Sequence, residues 1–76
     1  MNIKVLGTGC KKCKELEVNV QEAVEQLGIN AQVKKVEDIP TIMKYGVMST
    51  PALVIDEKVV STGKLLTVGE VKEKLS

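Results

Sequence analysis

The chain has 76 residues, a formal net charge of +1, 43% hydrophobic and 28% charged residues. That length builds one small domain, residues 1–76, with no room for a second core. All eleven basic residues are lysine and Tyr45 is the sole aromatic, so arginine forks and stacking platforms for nucleic acid are missing, and no apolar run reaches the length of a bilayer span.

Ile3-Lys4-Val5-Leu6 is short and β-rich. Ile3 and Val5 alternate with Lys4, but Leu6 breaks the alternation, as in a central strand covered on both faces. Gly7-Thr8-Gly9-Cys10-Lys11-Lys12-Cys13 follows and holds both cysteines of the chain. From about Lys11 to Leu27 the pattern is helical. Leu16, Val20, Ala23, Val24 and Leu27 share one face, Glu and Gln residues fill the rest, and Gly28 is a stop signal.

A Cys-x-x-Cys between a strand and a helix, in an intracellular chain with βα patterning, reads as a redox motif. The thiolate is the reactive species, and the positive end of a helix favours an anion. Cys10 falls at that end, among Lys11, Lys12 and Lys14, which favour its ionised form. Cys13 begins the apolar stripe three residues before Leu16. Cys10 is therefore expected to attack, and Cys13 to resolve the mixed disulfide. A static disulfide or a soft-metal site are the competing readings of the same pair. The start of the chain shows no signal-peptide pattern, so a cytoplasmic location is expected, where structural disulfides are rare.

Ile29 to Val36 is the second strand candidate, with Ile29, Ala31 and Val33 alternating with polar residues. A helix joins it to the first strand, so the two are expected to be parallel neighbours; Lys34 and Lys35 suit an edge. Asp38 is a helix N-cap candidate with Pro40 in the first turn. Ile39, Ile42 and Met43 fall on one face of a short helix ending at Gly46, with Tyr45 packing at its rim. After Val47-Met48-Ser49-Thr50-Pro51 comes Ala52-Leu53-Val54-Ile55, a third strand. A tight connection at Asp56-Glu57-Lys58 leads to Val59-Val60-Ser61, the fourth, in an antiparallel hairpin. Thr67 and Glu70 form a capping-box pattern, Leu66 and Val71 a hydrophobic staple, and Val68, Val71 and Leu75 one face of a last helix.

The order β-α-β-α-β-β-α, with Gly9-Cys10-Lys11-Lys12-Cys13 after the first strand, Tyr45-Gly46-Val47, Ser49-Thr50-Pro51-Ala52 before the third, and Gly63, resembles the thioredoxin fold in its smallest form. It is most similar to the small archaeal and bacterial thioredoxin-like proteins called redox-active disulfide protein 2. The resemblance covers nearly the whole chain. It implies an α/β fold with a four-stranded mixed sheet flanked by helices. It also implies a cis peptide at Pro51, which faces the cysteine pair, and a Thr50–Pro51 segment whose backbone pairs with the substrate chain. The implied activity is thiol–disulfide oxidoreduction on protein disulfides. No cofactor is expected beyond the cysteine pair itself, and no bound metal. The implied partners are protein disulfide substrates and a separate disulfide reductase of flavoprotein type, and the protein is expected to be a monomer.

Thioredoxin itself has Trp before the first cysteine and Gly-Pro between the two. Here Gly9 and Lys11-Lys12 stand there, so the reduction potential does not carry over. The buried acid of thioredoxin has no clear counterpart. Glutaredoxins bind glutathione partly through a later Gly-Gly and acid pattern; Ser61-Thr62-Gly63-Lys64 keeps Gly63 alone, which leaves glutathione use open. Val47, Met48 and Ala52 fit equally an apolar substrate rim or plain core. The alternative function is a copper-type metal module using the same cysteines. Those modules usually carry methionine two residues before the first cysteine, where this chain has Thr8, and end in a strand.

Overall fold

The computed structural model describes residues 1–9 and 11–75. Strand β1 (Asn2–Leu6) leads through the glycine-rich turn to helix α1 (Lys11–Leu27). Strand β2 (Gln32–Val36), helix α2 (Ile39–Lys44), strands β3 (Ala52–Ile55) and β4 (Lys58–Thr62) and helix α3 (Val68–Leu75) follow. The sheet order is β2-β1-β3-β4. β1 pairs parallel with β2 and antiparallel with β3, and β3 pairs antiparallel with β4. The sheet is thus mixed, with helices on both sides, in the order that the resemblance to the smallest thioredoxin fold implies.

The two apolar faces of the sheet explain the layers. Ile3 and Val5 of β1 and Leu53 and Ile55 of β3 pack with Leu16, Val20 and Ala23 of α1 and with Val71 and Leu75 of α3. Leu6, Ala52 and Val54 point the other way and pack with Ile42 of α2 and with Val47. β1 and β3 are therefore covered on both sides, which is why Leu6 departs from simple alternation and why all four residues of β3 are buried. Each fully buried Leu or Ile contributes about 1.5–3 kcal/mol relative to exposure, and Ile3, Leu6, Leu16, Leu53 and Leu66 are all below 2% exposed.

Local signals set the ends of the elements. Asp38 caps α2, its side chain accepting from Thr41 N at 3.2 Å and Thr41 Oγ1 at 2.6 Å. The capping box of α3 is made in both directions: Thr67 N donates to Glu70 Oε1 at 3.1 Å, and Glu70 N donates to Thr67 Oγ1 at 3.2 Å. Leu66 and Val71 meet in the larger core, as a staple requires.

Three expectations need correction. β2 begins at Gln32, not Ile29. Asn2, the first residue of β1, pairs with Gln32, so residues 29–31 have no partner in β1 and form a connection from which Ile29 and Ala31 pack on the core. β4 runs from Lys58 to Thr62, a residue longer at each end than the apolar run Val59-Val60-Ser61. On α2, Ile42 alone is buried, while Ile39 and Met43 are 57% and 67% exposed. A six-residue helix covers only a small patch of the sheet, and one side chain fills it.

Candidate functional site

The site forms where the parallel strands β1 and β2 end. Gly7 N donates to Val36 O at 2.9 Å, extending the ladder one residue beyond the strand pair and fixing the backbone just before the cysteine turn. α1 then starts at Lys11, with no acidic residue in its first turn. Cys13 sits on the inward face of that helix, 1% exposed and disulfide-bonded. Lys11, Lys12 and Lys14 are exposed on the same stretch. Cys10, the expected nucleophile and the other cysteine of the sequence, lies outside the described residues.

Gly7 brings the separate parts together. A Cβ built on it would overlap Cys13 Sγ, would lie 3.0 Å from Cys13 Cβ, and would stand 3.9 Å from Thr50 Cβ. The buried sulfur therefore rests directly on the Gly7 backbone, with Thr50 at the same spot. The Thr50–Pro51 peptide is cis, Thr50 is exposed and Pro51 is buried. Gly63 steadies this loop from just beyond β4: its N–H donates to Pro51 O at 2.8 Å, and its missing side chain makes room for Ser49, whose Cβ would be 2.9 Å from a Cβ there. Gly63 also has φ +64, a region that strains other residues. Of the three residues that fit either an apolar rim or core, Val47 and Ala52 are core, and Met48 is 97% exposed beside the Thr50–Pro51 loop.

One neighbour of the turn was not found by sequence reasoning. A Cβ on Gly9 would lie 3.4 Å from Glu37 Oε2. Glu37 follows β2, and its other oxygen faces Lys35 Nζ at 3.6 Å. The signal was available: in a parallel pair, residues just beyond the C-terminal ends of neighbouring strands lie side by side. Leu6 pairs with Val36, so Glu37 falls beside the turn that follows Leu6.

Tyr45 does more than fill a rim. Lys4 Nζ donates to Tyr45 Oη at 2.8 Å and to Glu57 Oε1 at 2.7 Å, and Tyr45 Oη donates to Glu57 Oε2 at 2.9 Å. The Lys4 ammonium also stands 5.5 Å from the centre of the Tyr45 ring, within cation–π range. This closed triangle ties β1, the end of α2 and the β3–β4 turn, on the face opposite α1 and α3. In the turn it reaches, Asp56 and Glu57 both have positive φ, the twist that a two-residue hairpin needs.

The triangle predicts a pH dependence. The hydrogen bond from Lys4, then that from Tyr45, holds the Glu57 carboxyl below its ordinary value of 4.5. Glu70 is lowered likewise, first by the Thr67 backbone N–H and then by Lys64. A carboxyl depressed on folding stabilises the fold above its unfolded value, and that contribution is lost as pH falls through the folded value. Lys4 is raised above 10.5, first by its hydrogen bond to Glu57, so its share is present below 10.5 and fades as pH rises through the raised value. Thermal melting should show Glu57→Gln less stable than the wild type at pH 7. The gap should close as pH drops below about 4.5; a gap independent of pH would refute this account.

Among the described residues no helix is long and apolar enough to cross a membrane. The family model described as Thioredoxin domain matches residues 1–76. A protein named Thioredoxin from Methanocaldococcus jannaschii is 44% identical over 73 residues, covering 96% of this chain and 84% of that protein. A second protein named Thioredoxin, from Methanothermobacter thermautotrophicus, is 37% identical over 76 residues, covering all of this chain and 99% of that protein.

Proposed function

The chain belongs to the thioredoxin family, and from that premise we propose that it exchanges electrons with protein disulfides through Cys10 and Cys13. In the reducing direction the Cys10 thiolate attacks one sulfur of a substrate disulfide. That S–S bond breaks, a mixed disulfide forms, and the departing sulfur leaves as a thiolate that takes up a proton. Cys13, deprotonated in turn, attacks the Cys10 sulfur, closes the intramolecular disulfide and releases the second substrate thiol. Two electrons pass to the substrate, and a separate disulfide reductase of flavoprotein type returns them. Lys11, Lys12 and Lys14 favour the attacking thiolate, and Thr50–Pro51 offers its backbone to the substrate chain. The protein works as a cytoplasmic monomer with no cofactor other than its cysteine pair.

The observation that carries this reading is Cys13: a disulfide-bonded sulfur buried on the inner face of α1, lodged against Gly7 with Thr50 at the same spot. A resolving thiol needs such a place, shielded from outside nucleophiles yet only three residues along the chain from the attacker. The test is insulin reduction with dithiothreitol as electron source. Catalytic amounts of the protein should accelerate it severalfold over dithiothreitol alone. Absence of turnover, together with tight stoichiometric Cu(I) binding, would overturn the proposal in favour of the metal module.

A further inference from the structure

Glu37 Oε2 would stand 3.4 Å from a Cβ on Gly9, the residue that precedes Cys10 in the chain. Gly7 N–H to Val36 O at 2.9 Å ties the end of β2 to the turn, and Lys35 Nζ, on an exposed side chain like Glu37, lies 3.6 Å from the other carboxylate oxygen. The remaining charges nearby differ in kind. Lys11, Lys12 and Lys14 are exposed cations on α1. Asp38, next in sequence to Glu37, is engaged with Thr41 of its own helix. Lys64, beyond Gly63, is paired with Glu70 at 3.0 Å. Among the described residues, Glu37 is thus the carboxylate that lies against Gly9.

We propose that Glu37 tunes the reactivity of Cys10 from outside the motif, as a negative charge set against the positive field of the three lysines, with Lys35 limiting its strength. This rests on the assignment of Cys10 as the attacking thiol. A nearby anion destabilises a thiolate. Glu37 therefore keeps Cys10 more fully protonated, and the pair more reducing, than the lysines and the helix end alone would leave it. A less stable reduced form is a stronger electron donor.

The reduced protein is alkylated with iodoacetamide across a pH series; Cys13 is 1% exposed, so the rate reads Cys10. On the acidic flank of the profile, Glu37→Gln should react about threefold faster than the wild type, the effect of removing one partly screened charge near a thiolate. Glu37→Asp, which keeps the charge, should stay close to the wild type, and Lys35→Gln should react more slowly. In 1 M salt the difference between Glu37→Gln and wild type should shrink, since a screened interaction falls with ionic strength. The equilibrium of Glu37→Gln with glutathione should shift toward the dithiol by a similar factor. Coinciding profiles for Glu37→Gln and wild type would overturn the inference. The wild type's insulin assay separates the two failures: coinciding alkylation profiles with insulin turnover intact refute the role of Glu37 alone, whereas an inactive wild type refutes the assignment on which it rests.

Discussion

Cys10→Ser should lower insulin reduction roughly a thousandfold or more, to the background of the reductant alone. Serine keeps the size of the side chain but not its acidity, so at neutral pH it supplies no anion to attack a disulfide. Cys13→Ala should fail differently. Cys13 is fully buried in an apolar setting, where alanine is accepted more readily than a serine hydroxyl without a partner. The first attack proceeds in that variant, but nothing closes the intramolecular bond, so a mixed disulfide between Cys10 and the substrate should accumulate. Mass spectrometry of the intact protein would then find the substrate adduct on Cys13→Ala and not on Cys10→Ser. An adduct carried by Cys13 in Cys10→Ser, or turnover retained by that variant, would reverse the roles assigned to the two sulfurs.

How much of this could be read from the sequence depended on the range of the forces involved. The strand at Ala52–Ile55, the capping box at Thr67 and Glu70, and the Asp38 cap were legible because each rests on neighbours within a few residues. Leu6 was legible for a related reason: one apolar residue out of alternation is enough to signal a second covered face. The start of β2 was not legible, because Ile29-Asn30-Ala31 alternates as well as Gln32-Val33-Lys34 does, and the difference lies in where β1 begins. The hairpin at Asp56 and Glu57 was legible, but its turn type was not, since it lacks the glycine that marks such turns. What accompanies Glu57 at φ +68 is a contact with Lys4 and Tyr45, 53 and 12 residues away. Within the site, the cysteine spacing stood out as a local motif, whereas Thr50–Pro51 was marked only by the family resemblance. Glu37 did not: its one signal is indirect, that it follows the end of a strand expected to lie parallel beside β1, and nothing in its own charged stretch marks it.

Gly7→Ala should destabilise the fold by about 2–3 kcal/mol, in the range of an overpacked core, or roughly 10–20 °C in melting temperature for a domain of this size. The added methyl has nowhere to go. It would overlap Cys13 Sγ and crowd Cys13 Cβ at 3.0 Å. The backbone cannot retreat without breaking the bond from Gly7 N–H to Val36 O, and α1 cannot lift without unpacking Leu16 and Val20 from the sheet. A double-mutant cycle run under reducing conditions identifies the cause, because the sulfur itself can be removed. In the Cys13→Ala background the same Gly7→Ala change should cost clearly less than in the wild type, since the main obstacle is gone and contacting residues couple. An equal cost in both backgrounds would mean that Gly7 is required for some other reason than its contact with the sulfur. Loss of thiol chemistry in Gly7→Ala exceeding what its stability loss accounts for is also expected, because the methyl pushes the resolving sulfur away from its seat. Under the proposed function, Gly7 belongs to the redox site together with the two cysteines, by leaving the space that the buried sulfur fills.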